Sequence, residues 1–247
     1  FTRRNFWVGT VSLSLGYGVF FGNVVLLPLW LQQFMGYTAT WAGFIMAPVG
    51  VLAILATPFV GKRVNTTDPR ILSTIAFITF AVVLWMRSLF NTQVDELTLL
   101  IPAFAQGIPM AFLFVPLMSL ILMGLPPERI PAAAGLSNFV RITAGAFGTS
   151  IFTTLWESRA TLHHAQLTET INNASIPATQ ALSDFATLGL SREQGLTYIN
   201  HLIDQQAFML SANDIFYASA VLFLGLTAII WLARPTRISN PLPISSH

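Results

Sequence analysis

The 57 residues between Arg4 and Lys62 include no Asp, Glu, Lys or Arg. A soluble protein carries charged side chains at short intervals over its surface, so a water-exposed fold is incompatible with this run. A helix rises about 1.5 Å per residue and crosses a ~30 Å hydrocarbon core in about 20 residues. The run is therefore long enough to cross a bilayer twice, and it predicts a membrane protein.

Six apolar segments are each long enough to span a bilayer. A lone strand would leave backbone groups unpaired in lipid, and the segments lack the alternation of barrel strands. We therefore expect an all-α transmembrane bundle. Its helices A to F are predicted at 6–34, 40–61, 71–90, 97–124, 132–156 and 215–233. The chain then divides into helices A to E (1–156), an outer, periplasmic loop (157–214), helix F (215–233) and a cytoplasmic tail (234–247).

The basic residues predict the orientation of this bundle, because cytoplasmic segments of membrane proteins are enriched in Lys and Arg. With the N-terminus inside, eight of the 12 basic residues fall on the cytoplasmic side. These are Arg3, Arg4, Lys62, Arg63, Arg70, Arg129, Arg234 and Arg237. Both termini are therefore predicted to be cytoplasmic.

The predicted outer loop is 58 residues long and is partly helical by its sequence. Ser191 is a suitable helix cap, and Gln194 follows at the spacing of a capping box. A loop of this length is either a functional docking surface or a tolerated insertion. The adjacent residues His163 and His164 do not predict a metal site. Neighbouring side chains on a helix point in different directions, and the sequence offers no evident third ligand.

Arg141 is the most costly residue within the predicted helices, since it lies about nine residues into helix E. Insertion scales assign about 2.5–3.5 kcal/mol to an arginine near the middle of the membrane. It shares one helix stripe with Asn138 and three glycines, Gly135, Gly145 and Gly148. Small residues allow another helix to approach closely, so the glycines are candidates for helix packing. Arg141 and Asn138 either fix that packing or belong to a substrate path or gate.

Further candidates for the substrate path are polar residues in apolar helices, namely Tyr17 and Asn23 in helix A and Gln106 in helix D. Pro109 and Pro116 interrupt helix D, and interrupted helices often build substrate sites in membrane proteins. The helices hold no acid pair, catalytic triad or phosphate-binding loop, so we expect neither an enzyme nor a cofactor. With a net charge of +2 and no cysteine, the chain predicts neither nucleic-acid binding nor a thiolate metal site.

Several segments, in the same order along the chain, resemble the EmrB-type multidrug exporters. These exporters form the fourteen-helix drug:proton antiporter branch of the major facilitator superfamily. The segments are residues 36–43, 124–129, 136–141, 144–150, 163–169 and 211–216. The resemblance extends over essentially the whole chain.

This resemblance implies that the chain is the six-helix C-terminal bundle of a multi-pass transporter in the bacterial inner membrane. Since the chain begins with Phe1 instead of Met, we expect the start of a longer protein to be missing. The missing N-terminal bundle would hold the acidic residue for proton coupling. Implied partners are hydrophobic small-molecule substrates, membrane lipids, that bundle, a periplasmic adaptor and an outer-membrane channel. The proton gradient would supply the energy, and antibiotic resistance would be the consequence.

Two other functions stay open at this point. The unit could be a membrane assembly subunit that transports nothing itself, or it could export lipids or metabolites with the same architecture. Fold-level analogy does not identify a substrate.

Overall fold

The computed structural model describes residues 4–64, 66–170 and 176–234. These residues form helices only, with no strand among them, which confirms the all-α prediction. The helices are α1 (Arg4–Gln33), α2 (Ala39–Val64), α3 (Pro69–Arg87), α4 (Glu96–Leu122), α5 (Ile130–Thr170), α6 (Ile176–Thr187) and α7 (Arg192–Ile230). A 3₁₀ turn over Pro127–Arg129 precedes α5. The predicted tail at 235–247 lies outside the described residues.

Five helices of the described chain are long and apolar enough to cross a membrane, namely α1, α2, α3, α4 and α7. They correspond to the predicted helices A, B, C, D and F. Helix E lies within α5, which is long enough but less apolar, since it carries Asn138 and Arg141. That α5 spans the bilayer therefore stays a prediction, and it is supported by the packing of α5 against the central helix α1.

Two predicted helix boundaries, the end of helix E and the start of helix F, differ most from the structure. The predicted end of helix E at 156 is not a helix end, because α5 continues to Thr170. The predicted start of helix F at 215 is likewise inside α7, which begins at Arg192. The reason is that hydropathy reports where a helix leaves lipid, whereas the polar residues beyond that point continue the helix in water. At ~1.5 Å per residue, α5 and α7 are each about 60 Å long, twice the hydrocarbon thickness.

We call residues 157–170 and 176–214 the outer extension, after the side of the membrane on which the sequence predicts them. Its α5 and α7 parts are joined where they leave the predicted membrane region. The Trp156 indole donates a hydrogen bond to the Phe208 carbonyl (3.0 Å), and the Ser211 hydroxyl donates to the Trp156 carbonyl (2.6 Å). Most of the predicted outer loop is therefore helical and packed against itself.

The capping box predicted at the start of the second extension helix is present. The backbone N–H of Gln194 donates to the Ser191 hydroxyl (3.2 Å), and the backbone N–H of Ser191 donates to the side-chain oxygen of Gln194 (2.8 Å). Together they satisfy two backbone donors that the first turn of α7 would otherwise leave unpaired.

The extension also contacts the outer ends of the other helices. The Gln205 side chain donates to the Phe34 carbonyl after α1 (2.6 Å), and the Asn213 side chain donates to the Phe90 carbonyl between α3 and α4 (2.8 Å). In the same connection Asp95 caps α4, and a hydrogen bond from the Thr98 side chain lowers the pKa of the Asp95 carboxyl. Asp95 is thus negatively charged at the positive end of the α4 dipole.

The opposite end of the bundle brings the first and last described residues together. The Arg234 amide donates to the Asn5 side chain (2.7 Å), and Arg70 donates to the Ala233 carbonyl (3.1 Å). The two ends of the described chain therefore lie on one side of the membrane. That this side is cytoplasmic stays a prediction from the distribution of basic residues.

Candidate functional site

A cavity of about 280 Å³ lies between α1, α4 and α5, and it is the centre of the candidate site. Five apolar or aromatic side chains and one cation line it: Leu13, Tyr17, Met110, Leu113, Phe114 and Arg141. Small-molecule sites in proteins have this character, with mostly apolar walls and a few polar groups that fix orientation.

The guanidinium of Arg141 is held at the cavity by three contacts. It donates to the Asn138 side chain one turn earlier on α5 (2.6 Å). Its carbon lies 4.4 Å from the centre of the Tyr17 ring and 4.8 Å from that of Phe114. Cation–π contacts of this kind stabilise a charge in a poorly solvated place.

Arg141 retains the capacity to bind a further group. Its Nε is buried and has no hydrogen-bond partner. Within the described residues, no carboxylate lies within ion-pair distance of this guanidinium. The cavity therefore has a positive charge that is oriented by the protein and is not neutralised by it.

Among the predicted path residues, the structure brings Arg141, Asn138 and Tyr17 together but places Gln106 elsewhere. Gln106 is 2% exposed and accepts a hydrogen bond of 2.6 Å from Arg87. Arg87 itself is completely buried. Sequence reasoning missed this arginine because it lies in the last turn of α3, where long cations usually extend to water.

Asn23 is also separate from the cavity. Its side chain donates to the Ser219 hydroxyl of α7 (2.9 Å) and to the Val19 carbonyl of its own helix (2.7 Å). Asn23 and Ser219 are both buried. These bonds join α1 to α7 inside the bundle and favour a packing role for Asn23 over contact with a substrate.

The three glycines of the α5 stripe have different surroundings. A Cβ at Gly148 would overlap the carbonyl of Gly18 on α1, and a Cβ at Gly145 would lie 3.1 Å from the Tyr17 ring. In return, a Cβ at Gly18 would lie 2.8 Å from the Ala144 carbonyl. A Cβ at Gly135 would meet no atom of the described chain within 4 Å. The close approach of α1 and α5 beside the cavity thus depends on Gly148 and Gly18.

The histidine pair is occupied by side chains of α7. His163 lies 2.8 Å from an Asp214 oxygen, which Arg159 also contacts at 3.2 Å, and His164 lies 3.2 Å from the Asn200 side chain. In the part of the chain that the structure describes, no cluster of three or more His, Cys, Asp or Glu residues could hold a metal ion.

Sequence comparison gives the chain clear relatives. The family model of the Major Facilitator Superfamily matches residues 1–149. Multidrug export protein EmrB of Escherichia coli (strain K12) is 43% identical over 236 residues, which are 95% of this chain and 46% of that protein. Fatty acid resistance protein FarB of Neisseria gonorrhoeae is 40% identical over 235 residues, with the same two coverages. The chain thus spans less than half the length of these relatives.

Proposed function

The chain belongs to the major facilitator superfamily, and we propose that it is the C-terminal half of a multidrug efflux transporter that exports hydrophobic compounds by proton antiport. The observation that carries this proposal is the apolar cavity with its unneutralised arginine, enclosed by three helices of the bundle. The similarity to EmrB and FarB, both named for export or resistance, supports a transporter over a non-transporting assembly subunit. Its location is the bacterial inner membrane.

The cavity favours hydrophobic compounds that carry a negative charge. An apolar tail would contact Leu13, Leu113 and Phe114, whereas an acidic head would pair with the guanidinium of Arg141. Charge-assisted hydrogen bonds are stronger than neutral ones, and more so in a poorly solvated site. The relative named for fatty acid resistance is consistent with such amphiphilic acids.

Proton coupling belongs to the part of the transporter outside this chain. The described helices carry no Asp or Glu in their membrane interiors; the acids lie at helix ends, in the outer extension and in the connections. We propose that the two bundles rock against each other, so that the cavity faces the two sides of the membrane alternately.

Transport by the complete protein in liposomes tests this function. A hydrophobic fluorescent dye should be pumped against its own concentration gradient when protons flow down their gradient in the opposite direction. An ionophore that collapses the gradient should stop the pumping. Dye movement that is independent of the proton gradient would contradict the antiport mechanism, and no movement of any hydrophobic compound would contradict the transporter itself.

We further propose that the outer extension binds a periplasmic adaptor that connects the pump to an outer-membrane channel. Leu188, Leu196 and Tyr198 are large apolar side chains exposed on its α6–α7 part. The first turn of α7 lies 19 residues before Ser211, about 28 Å along the helix, so it is far outside the predicted membrane span at 215–233. Exposed apolar side chains outside the lipid are available to a protein partner.

Replacing Leu188, Leu196 and Tyr198 together with serine should weaken adaptor binding at least about tenfold, because interface energy is concentrated in a few apolar anchors. Co-purification of a tagged adaptor with the complete transporter measures this. The exposed residues Gln166 and Glu169, replaced with serine, form the matched control. Equal recovery of the adaptor with both variants would reject this surface, and deletion of 165–205 would then test the rest of the extension.

A further inference from the structure

Arg87 is a buried cation that the cavity does not use. It is 0% exposed, and its Nη2 donates to the Gln106 side chain at 2.6 Å. Its Nε and Nη1 are buried without a hydrogen-bond partner. No carboxylate of the described chain forms an ion pair with it. A neutral amide is thus the main polar partner of a full positive charge.

Such an arrangement is costly, and water is close. A buried charge without a counter-charge pays a desolvation penalty that one neutral hydrogen bond does not offset. Arg87 lies in the last turn of α3, and Leu89 and Asn91 in the following connection are exposed. A small outward movement of the α3 end would let the guanidinium reach water.

Gln106 links Arg87 to the wall of the cavity. Gln106, Met110 and Leu113 follow one another at spacings of four and three, so they lie on one face of α4, and the last two line the cavity. Pro109 lies between them and weakens the helix locally, because it removes a backbone donor. On the other side of α4, Gly107 allows α2 to pack closely, since a Cβ at Gly107 would lie 2.6 Å from the Val49 carbonyl of α2.

We propose that Arg87 and Gln106 form a latch between α3 and α4 that holds the cavity wall in the arrangement seen here. Arg87 is a positioning residue in this scheme and does not contact the compound. The latch opens when Arg87 moves to the outer water, and α4 then bends at Pro109 and shifts Met110 and Leu113. The effect on transport rests on the proposed function, whereas the opening of the latch does not.

Two variants of the complete transporter act on the latch in opposite directions. Gln106→Glu supplies the missing counter-charge and should hold the latch closed. Arg87→Met keeps an unbranched apolar side chain, removes the charge and the hydrogen bond to Gln106, and should leave the latch open. We expect Gln106→Glu to raise the thermal transition temperature, lower the maximal transport rate about tenfold and leave KM near the wild-type value. We expect Arg87→Met to raise KM, because the cavity wall is no longer held.

A role in stability alone gives a different result. In that case Gln106→Glu would raise the transition temperature and keep the full transport rate, and Arg87→Met would keep the wild-type KM. Either outcome overturns the latch. Arg87→Lys retains the charge and a donor to Gln106, so it should restore the KM that Arg87→Met raises.

Thiol labelling tests the opening without any transport. The chain has no cysteine, and Ala103 is completely buried one turn before Gln106 on α4. With Ala103→Cys as the sole cysteine of the complete protein, a hydrophilic maleimide added outside should react faster in the Arg87→Met background and slower in the Gln106→Glu background. Equal rates in all three backgrounds would overturn the latch. If wild-type protein moves no compound while these rates differ, the proposed function fails and the latch stands.

Discussion

Replacing Arg141 with alanine is expected to abolish most of the resistance that the complete transporter confers to acidic hydrophobic compounds. The change removes the only charged group that lines the described cavity, together with its contacts to Tyr17 and Phe114. A hydrogen bond to a charged group contributes about 1.5–3 kcal/mol, which corresponds to roughly tenfold to a hundredfold in affinity. The minimal inhibitory concentration, measured at equal expression in the membrane, reports the loss.

Two controls separate charge from geometry in this result. Arg141→Lys keeps the charge but loses the planar guanidinium that lies over the rings, so it should retain part of the resistance. Asn138→Ala removes the side chain that orients Arg141 and should have an intermediate effect. Wild-type resistance in Arg141→Ala would show that the arginine fixes helix packing without taking part in the substrate path.

Replacing Gly148 with leucine is expected to prevent accumulation of the folded transporter. The Cα of Gly148 lies against the backbone of Gly18, and even a Cβ would overlap the Gly18 carbonyl. Backbone atoms cannot move aside as a flexible side chain can, so α1 and α5 would have to separate. Because α1 packs against α4, α5 and α7, this separation would disrupt the centre of the bundle. Monodispersity in detergent, measured by fluorescence-detected size exclusion, checks the prediction.

Gly135→Leu is the matched control, since it makes the same change on the same helix where the described chain leaves open space. It should give a normal elution profile. Equal profiles for Gly148→Leu and Gly135→Leu would contradict the close α1–α5 contact. A defect in Gly135→Leu alone would indicate that Gly135 packs against the part of the transporter outside this chain.

The sequence was sufficient to predict the membrane helices because lipid imposes a simple rule. Every backbone group must be bonded within the span, so long apolar segments become helices wherever they occur. The same rule does not apply in water, and it therefore could not show that α5 continues to Thr170 or that α7 begins at Arg192. The capping box at Ser191 still predicted a helix there, since it depends only on residues close together in the sequence.

The candidate site was predictable only in part, for a related reason. Helical spacing places Arg141 and Asn138 on one face, and it does so from α5 alone. The partners across the bundle depend on how helices pack, which spacing within one helix does not determine. Thus Tyr17 lies at the cavity, whereas Gln106 and Asn23 have the same polar character but form hydrogen bonds to α3 and α7. Phe114 had no signal that distinguished it from a lipid-facing phenylalanine.

Binding of a fatty acid to the purified complete transporter shows whether the cavity at Arg141 is the substrate site. Dodecanoate and its uncharged methyl ester are compared by isothermal titration in wild-type protein and in Arg141→Ala. If it is, the alanine variant should bind dodecanoate at least about tenfold more weakly, with little change for the ester. Equal affinity of the wild-type and variant proteins for dodecanoate would contradict it.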